Sequence, residues 1–99
     1  MELTDLLATM PFGQGLGMTF LSADAAEVRA ALAWDESRTT LGGAMHGGAL
    51  MTLADSCGAV CAFLNLPPGA GTSTIESKTN LFRGVRDGVV TGVSRPLHV

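Results

Sequence analysis

Between Arg38 and Glu76 the chain carries one formal charge, Asp55. It stands in residues 49–64, a run of Leu, Met, Ala, Val, Cys and Phe that reads as a helix apolar on all sides, and such helices are buried ones. An ionised carboxylate there is costly unless it gathers donors or its pKa moves upward. Acids perturbed in this way collect at functional sites. The competing reading is a structural acid, capped or paired, that faces solvent.

Immediately before the helix comes His46-Gly47-Gly48. Glycines at a helix N-terminus leave backbone N–H groups open at the positive end of the dipole. That arrangement suits a carbonyl oxygen gaining negative charge during a reaction. The same residues also make an ordinary turn, with His46 a structural hydrogen-bonder. Asp55 lies eight residues beyond Gly47, about 12 Å along a helix axis at 1.5 Å per residue. One Asp therefore cannot easily reach a carbonyl held at its own helix start. Two antiparallel copies could bring the helix start of one beside the acid of the other, which suggests a site shared across a dimer.

The elements that must position these residues can be read from periodicity. Residues 2–10 read as a short helix with Leu3, Leu6, Leu7 and Met10 at helical spacing, ended by Pro11. A Gly-rich stretch follows at Gly13, Gly15 and Gly17. Residues 18–22 and 27–34 read as two strands of a hairpin, the second with Val28, Ala30, Leu32 and Trp34 on one face. A helix over residues 49–64 stops at Asn65. Residues 73–83 read as a polar, β-branched strand, Asp87-Gly88 as a hairpin signal, and residues 89–99 as the returning strand with Val89, Val93, Leu97 and Val99 in phase. Helix, two strands, long helix and two strands make an α+β arrangement, with the helix laid against an antiparallel sheet.

Composition bounds the function. The chain has 99 residues and 10.2 kDa, one domain at most, with an expected folded surface of about 5,300 Å² against about 14,800 Å² unfolded. Apolar residues make up 46% and charged residues 15%, which excludes a disordered tail. With 6 basic and 9 acidic residues, net charge −3, an electrostatic nucleic-acid binder is not expected. The apolar run holds Thr52, Asp55 and Ser56 near its middle and falls short of a membrane span. No basic segment precedes an apolar run at the N-terminus, so a cytoplasmic protein is expected. Cys57 and Cys61, four apart on one helix, make neither a disulfide scaffold nor a zinc site and read as small buried residues. No metal or cofactor is implied. Arg83, Arg86 and Arg95 cluster late in the chain, where they could meet phosphates or form a solvated sheet edge. Trp34 reads as a core anchor.

The stretch His46-Gly47-Gly48-Ala49-Leu50-Met51-Thr52-Leu53-Ala54-Asp55-Ser56, followed by Thr74-Ile75-Glu76-Ser77-Lys78-Thr79-Asn80-Leu81-Phe82-Arg83, resembles the signature of hotdog-fold thioesterases of the PaaI type. The resemblance implies a long central helix wrapped by an antiparallel sheet, a homodimer or homotetramer with sites at the subunit interface, and an acyl-CoA thioester substrate. It places the catalytic acid, nucleophile or general base, at Asp55. It places the oxyanion-binding N–H at Gly47 and the histidine that shapes the site at His46. Gly48, Thr74 and Arg83 become substrate-side residues, with the Thr74 hydroxyl helping to hold water. Thr40 stands where several members carry an Asn, with less reach for orienting water or thioester.

Members of the family generally continue with further strands beyond His98 and Val99. The resemblance thus makes residues 1–99 a single, incomplete hotdog domain that is expected to fold poorly alone. A non-catalytic acyl-CoA-binding module is the rival implied by the same likeness, and a hotdog dehydratase or hydratase a third.

Overall fold

The computed structural model describes residues 2–74 and 76–98. Helix α1 (Leu3–Ala8) and helix α2 (Pro11–Leu16) lead into strand β1 (Thr19–Ala23) and strand β2 (Val28–Ala33). Two 3-10 turns, Glu36–Arg38 and Leu41–Gly43, approach the long helix α3 (Gly47–Leu64), and strand β3 (Val89–Ser94) closes the order.

The Gly-rich stretch expected after Pro11 is helical. Pro11 ends α1 and opens α2, where its missing N–H costs nothing and its fixed φ favours the first turn. Gly17, at φ 99°, ends α2 with a left-handed residue whose N–H donates to Gln14 and Gly13 carbonyls. Three glycines so close hid a helix only six residues long.

The hairpin is as read. Asp24 Oδ1 accepts from the N–H groups of Ala26 and Glu27 at 2.8 and 2.9 Å, which turns the chain between β1 and β2. The strands pair antiparallel from Thr19↔Ala31 to Ala23↔Val28, with an irregularity between Phe20 and Ser22. Val28, Ala30 and Leu32 are wholly buried on one face of β2, and Arg29 and Ala33 face out. The sheet is three-stranded in the order β1-β2-β3, with Val28↔Ser94 and Ala33↔Val89 at the ends of the second ladder.

Helix α3 lies across this sheet. Ala49, Leu53, Cys57, Val60 and Cys61 are buried toward it. Asn65 is the C-cap, and its amide donates to Cys61 and Ala25 carbonyls, both at 2.8 Å. The helix is apolar enough to pass for a membrane span by composition, but one stripe of it is the core of this domain rather than all of it. The contact is closest at Gly92: a Cβ there would stand 3.3 Å from both Cys57 Sγ and Leu53 Cγ. The Cys57 thiol donates to the Gly92 carbonyl at 3.8 Å.

That contact corrects the phase expected for the last strand. Val90, Gly92 and Ser94 turn toward the helix, while Val89 and Val93 are exposed. Only bare backbone fits beneath α3 at position 92, so Val89 and Val93, in the opposite phase to Gly92, face out. Leu97 lies beyond the end of β3 and is fully exposed, and Val99 falls outside the described residues.

The strand expected over residues 73–83 is also corrected. Its described residues are irregular and almost all exposed, and Ile75 falls outside them. Threonines favour a strand only where a neighbour takes up their N–H and C=O groups. Among the described residues, this segment pairs with neither sheet edge. The Asp87-Gly88 turn therefore joins no pair of adjacent strands. Gly88, at φ 75°, feeds the chain into β3, and its carbonyl accepts from Trp34 N–H at 2.7 Å.

Both cysteines are free and buried, as read. Burial pushes the Cys57 thiol above its ordinary value. Because the folded-state value is the higher one, this contribution to stability is present below the unfolded thiol value near 8.5 and is lost as pH rises past it. Iodoacetamide at pH 8 should therefore label Cys57 and Cys61 slowly in the native protein and quickly in urea, with denaturation midpoints falling above about pH 8.5.

Two glycine substitutions should separate in sign when measured by denaturant unfolding. Gly92→Val is expected to cost about 1–3 kcal/mol by overpacking. Gly58→Ala adds a methyl that meets nothing within 4 Å and should gain up to about 1 kcal/mol of helix propensity.

Candidate active site

The start of α3 is fixed by the loop before it. Arg38 donates from Nε to the Leu16 carbonyl and from Nη1 to the Ala33 carbonyl at 3.1 Å, joining the end of α2 to the end of β2. Its own carbonyl accepts from His46 N–H at 2.8 Å, beside a Thr39↔Met45 bridge. Met45 N–H donates to the Val85 carbonyl at 2.7 Å. Trp34, read as a core anchor, is half-buried and holds the loop through Nε1–H to the Gly43 carbonyl at 2.9 Å.

His46 caps the helix. Its Nδ1 accepts from Gly48 N–H at 2.8 Å, so the imidazole does the work usually done by a Ser or Asp side chain. Of the residues expected at the helix start, Gly48 thus has its N–H engaged. Gly47 N–H has no acceptor among the described residues. The Leu81 side chain lies over Gly47, where a Cβ would meet its Cδ1 at 3.1 Å.

Asp55 is exposed, not buried in an all-apolar helix. The sequence reading counted apolar residues around the helix, but only one stripe of them meets the sheet. Thr74 Oγ1 donates to Asp55 Oδ1 at 3.0 Å, bringing together two residues separated by an irregular segment. The carboxylate sits where two grooves meet. One, of about 620 Å³, runs between α3 and the α1–α2 junction and is lined by Met10, Phe12, Met51, Thr52 and Ser56 as well as Asp55. The other, of about 650 Å³, lies between α3 and Thr72, Ser73 and Glu76, with Gly58, Ala59 and Thr74 on its walls. A third groove of about 480 Å³ opens at the helix start beside His46, Gly48 and Arg38, and shares Phe12 and Thr52 with the first. These grooves, linked by shared lining residues, form the trough on the α3 face that carries the acid.

Thr40 and Arg83 line none of the three grooves. Of the late arginines, Arg95 is engaged in an ion pair with Glu27 at 2.7 Å, beside an Arg29–Glu27 pair. The Arg29 hydrogen bond, seconded by Arg95, holds the Glu27 carboxyl below its ordinary value despite some desolvation. Sequence reasoning did not place Phe12 and Ser77 in the trough, and favoured core filling over pocket lining for Met10 and Met51. It noted Thr52, Asp55 and Ser56 without using their i, i+3, i+4 spacing, which places them on neighbouring positions of one helix surface.

The profile of the thioesterase superfamily matches residues 42–99. The 1,4-dihydroxy-2-naphthoyl-CoA hydrolase of Escherichia coli (strain K12) is 39% identical over 57 residues, covering 58% of this chain and 42% of that protein. The esterase PA1618 of Pseudomonas aeruginosa is 32% identical over 88 residues, covering 88% of this chain and 61% of that one. The crystal structure of a mutant of thioesterase PA1618 superposes with a TM-score of 0.89 at 30% identity, over all 100% of this chain and 73% of that one. Thioesterase HI1161 of Haemophilus influenzae also gives 0.89, at 25% identity, over 100% of this chain and 71% of that one. The chain belongs to the thioesterase superfamily, and its helix laid on an antiparallel sheet is the hotdog fold. It spans 42% and 61% of the length of the two curated relatives.

The capping role of His46 has a direct check. His46→Ala should lower stability by about 0.5–2 kcal/mol, and His46→Asn, which caps well, should restore most of that in the same unfolding assay.

Proposed function

We propose that this chain acts on acyl-CoA thioesters as a hydrolase of the PaaI-like kind. Water adds to the thioester carbonyl, the carbon–sulfur bond breaks, and free CoA leaves with a proton while the acyl group departs as a carboxylic acid. The observation that carries the reading is the exposed Asp55 carboxylate, held by the Thr74 hydroxyl at 3.0 Å where the grooves meet. The name of the E. coli relative, a CoA-ester hydrolase, supports the substrate class.

Each residue then has a task. Asp55 is the nucleophile or the general base on water. Thr74 orients that carboxylate and the water beside it. Gly47 N–H receives the carbonyl oxygen as it becomes an oxyanion, a role for which an N–H open at the dipole's positive end is suited. His46, by capping, keeps Gly47 and Gly48 in helical register. Thr40 and Arg83 act at the substrate's rim, outside the grooves described above.

Gly47 and Asp55 stand about 12 Å apart along one continuous helix. They therefore work in pairs drawn from two copies, so that a dimer or tetramer is the active form. CoA esters and free cysteines both suit the cytoplasm.

Asp55→Asn tests the reading by release of CoA thiol from acyl-CoA esters. The expected fall is about 10²–10⁴-fold in kcat, the usual share of a positioned acid or base. Wild-type turnover in that variant would overturn the mechanism. Saturable CoA-ester binding with no product from the wild-type chain would favour the non-catalytic module instead. In a single turnover in ¹⁸O-water, label in the Asp55 side chain identifies a nucleophile, whereas label confined to the product is given both by a general base and by water attack on the acyl carbon of an anhydride. Thr74→Val should cost about 2- to 13-fold in kcat, the worth of one hydrogen bond.

A further inference from the structure

The Asp55 groove holds a second polar group that the proposed chemistry does not use. Ser56 is 7% exposed and lines this groove together with Asp55, Gly13 and Ser77. Thr52, one turn earlier, folds its hydroxyl back onto the Gly48 carbonyl at 2.8 Å. The Ser56 hydroxyl has no hydrogen-bond partner among the described residues. No fully occluded side-chain oxygen is left unpaired among those residues, so the opening of Ser56 Oγ is the groove itself. Gly13 keeps the space beside it clear: a Cβ there would stand 2.7 Å from Met18 Sδ and 3.8 Å from Ser56 Oγ.

A hydroxyl this deep has given up most of its contact with bulk water, and it gains by meeting a polar group on whatever fills the groove. Much of the nearby wall is apolar, with Met10, Pro11, Phe12 and Met51. The complementary ligand is therefore an oxygen carried on an otherwise apolar group. Its position on that group follows from the helix. Ser56 is the next residue after Asp55, with Cα atoms about 3.8 Å apart, and both side chains reach one groove. If Asp55 works at the thioester carbon, Ser56 Oγ meets the acyl group one or two carbon–carbon bonds away.

We infer that Ser56 is a specificity-determining residue whose hydroxyl receives an oxygen on the second or third carbon of the acyl group, so that the site favours hydroxyacyl thioesters over plain acyl ones. The inference rests on the proposed reading for the identity of the ligand and the placement of its carbonyl at Asp55. A site built to hydrogen-bond a substrate hydroxyl rejects the analogue that lacks it, because its own buried group is then left unpaired.

The test uses CoA ketones in which a methylene separates sulfur from the carbonyl, so that water cannot cleave them. Each probe carries a hydroxyl on the second carbon, on the third, or on neither, and binding to the intact chain is measured by titration calorimetry. The wild-type protein should bind the better hydroxylated probe about 5- to 30-fold more tightly than the plain one. Ser56→Ala should erase that ratio without weakening the plain probe, whose Kd stays the same or falls. Ser56→Cys, a weak donor of similar shape, should fall between.

Equal affinities in the wild type, a ratio that survives Ser56→Ala, or a parallel loss for both probes in that variant would each overturn the assignment. The last of these is what a merely structural serine would give. Because the probes are not cleaved, the outcome separates from that of the hydrolase assay. A preserved ratio without turnover of true thioesters would sink the hydrolase reading and leave Ser56 as the recognition group, whereas no binding of any probe would overturn both.

Discussion

The approach of α3 to the backbone of β3 at Gly92 governs the rest of the molecule. With no side chain at that position, Leu53 and Cys57 reach the sheet directly, and the rotation of the helix about its axis is set by that seat. Once Leu53 and Cys57 point at the strand, Ala49, Val60 and Cys61 follow them inward by helical periodicity. Asp55, two residues from each of the seated pair, is carried to the opposite side, where Met10, Phe12, Thr72, Thr74 and Ser77 line the grooves beside it. The place of the acid is thus a consequence of a glycine 37 positions away in sequence. The same packing turns Val89 and Val93 of β3 outward and closes over Cys57.

A second constraint fixes where the helix begins. The loop from β2 to α3 has little apolar side-chain volume to bury, and it is held by directed bonds instead. Arg38 spends its guanidinium on two backbone carbonyls and Trp34 spends its indole N–H on a third. His46 then caps the first turn. The outcome is a helix N-terminus held from several sides with the Gly47 N–H free among the described residues. A preorganised donor of this kind gains over a flexible one because its orientation costs nothing at the moment of reaction.

Parts of this were legible in the residues because they rest on local rules. The alternation of Val28, Ala30 and Leu32, the stop at Asn65 and the hairpin joining residues 18–22 to 27–34 depend on neighbours in sequence, and the structure holds each of them. The coincidence of His46, Gly47 and Asp55 on one helix was readable for the same reason. The misreadings depend on distant partners. The direction in which Val89 and Val93 face is decided by what lies over Gly92, and pattern alone cannot rank a glycine as the buried residue of a strand. Residues 73–83 have strand-like composition, but a strand is a property of a pair, and among the described residues no neighbour takes up their backbone groups. The short helix α2 was masked by glycines whose average preference opposes helix, while Pro11 and Gly17 supplied suitable ends. Thr74 meeting Asp55 depends on how an irregular segment returns to α3, which no periodicity encodes.

The exposure of the acid bears on how the proposed chemistry would run. A carboxylate facing water is a weak nucleophile and a weak base, and catalytic groups gain from sites that exclude solvent. The chain has apolar surface available for that exclusion. Its folded surface of 6616 Å² exceeds the about 5,300 Å² expected for its mass, and Phe12, Leu41 and Phe82 are among the side chains left largely in solvent. Phe12 also lines the groove that holds Asp55. On the proposed reading, covering those residues with a second copy and supplying Gly47 from that copy are one event rather than two. Removing water from the trough and delivering the oxyanion donor would then share a single cause, and the separation of Gly47 from Asp55 along α3 would be the geometric reason that the site cannot assemble within one chain.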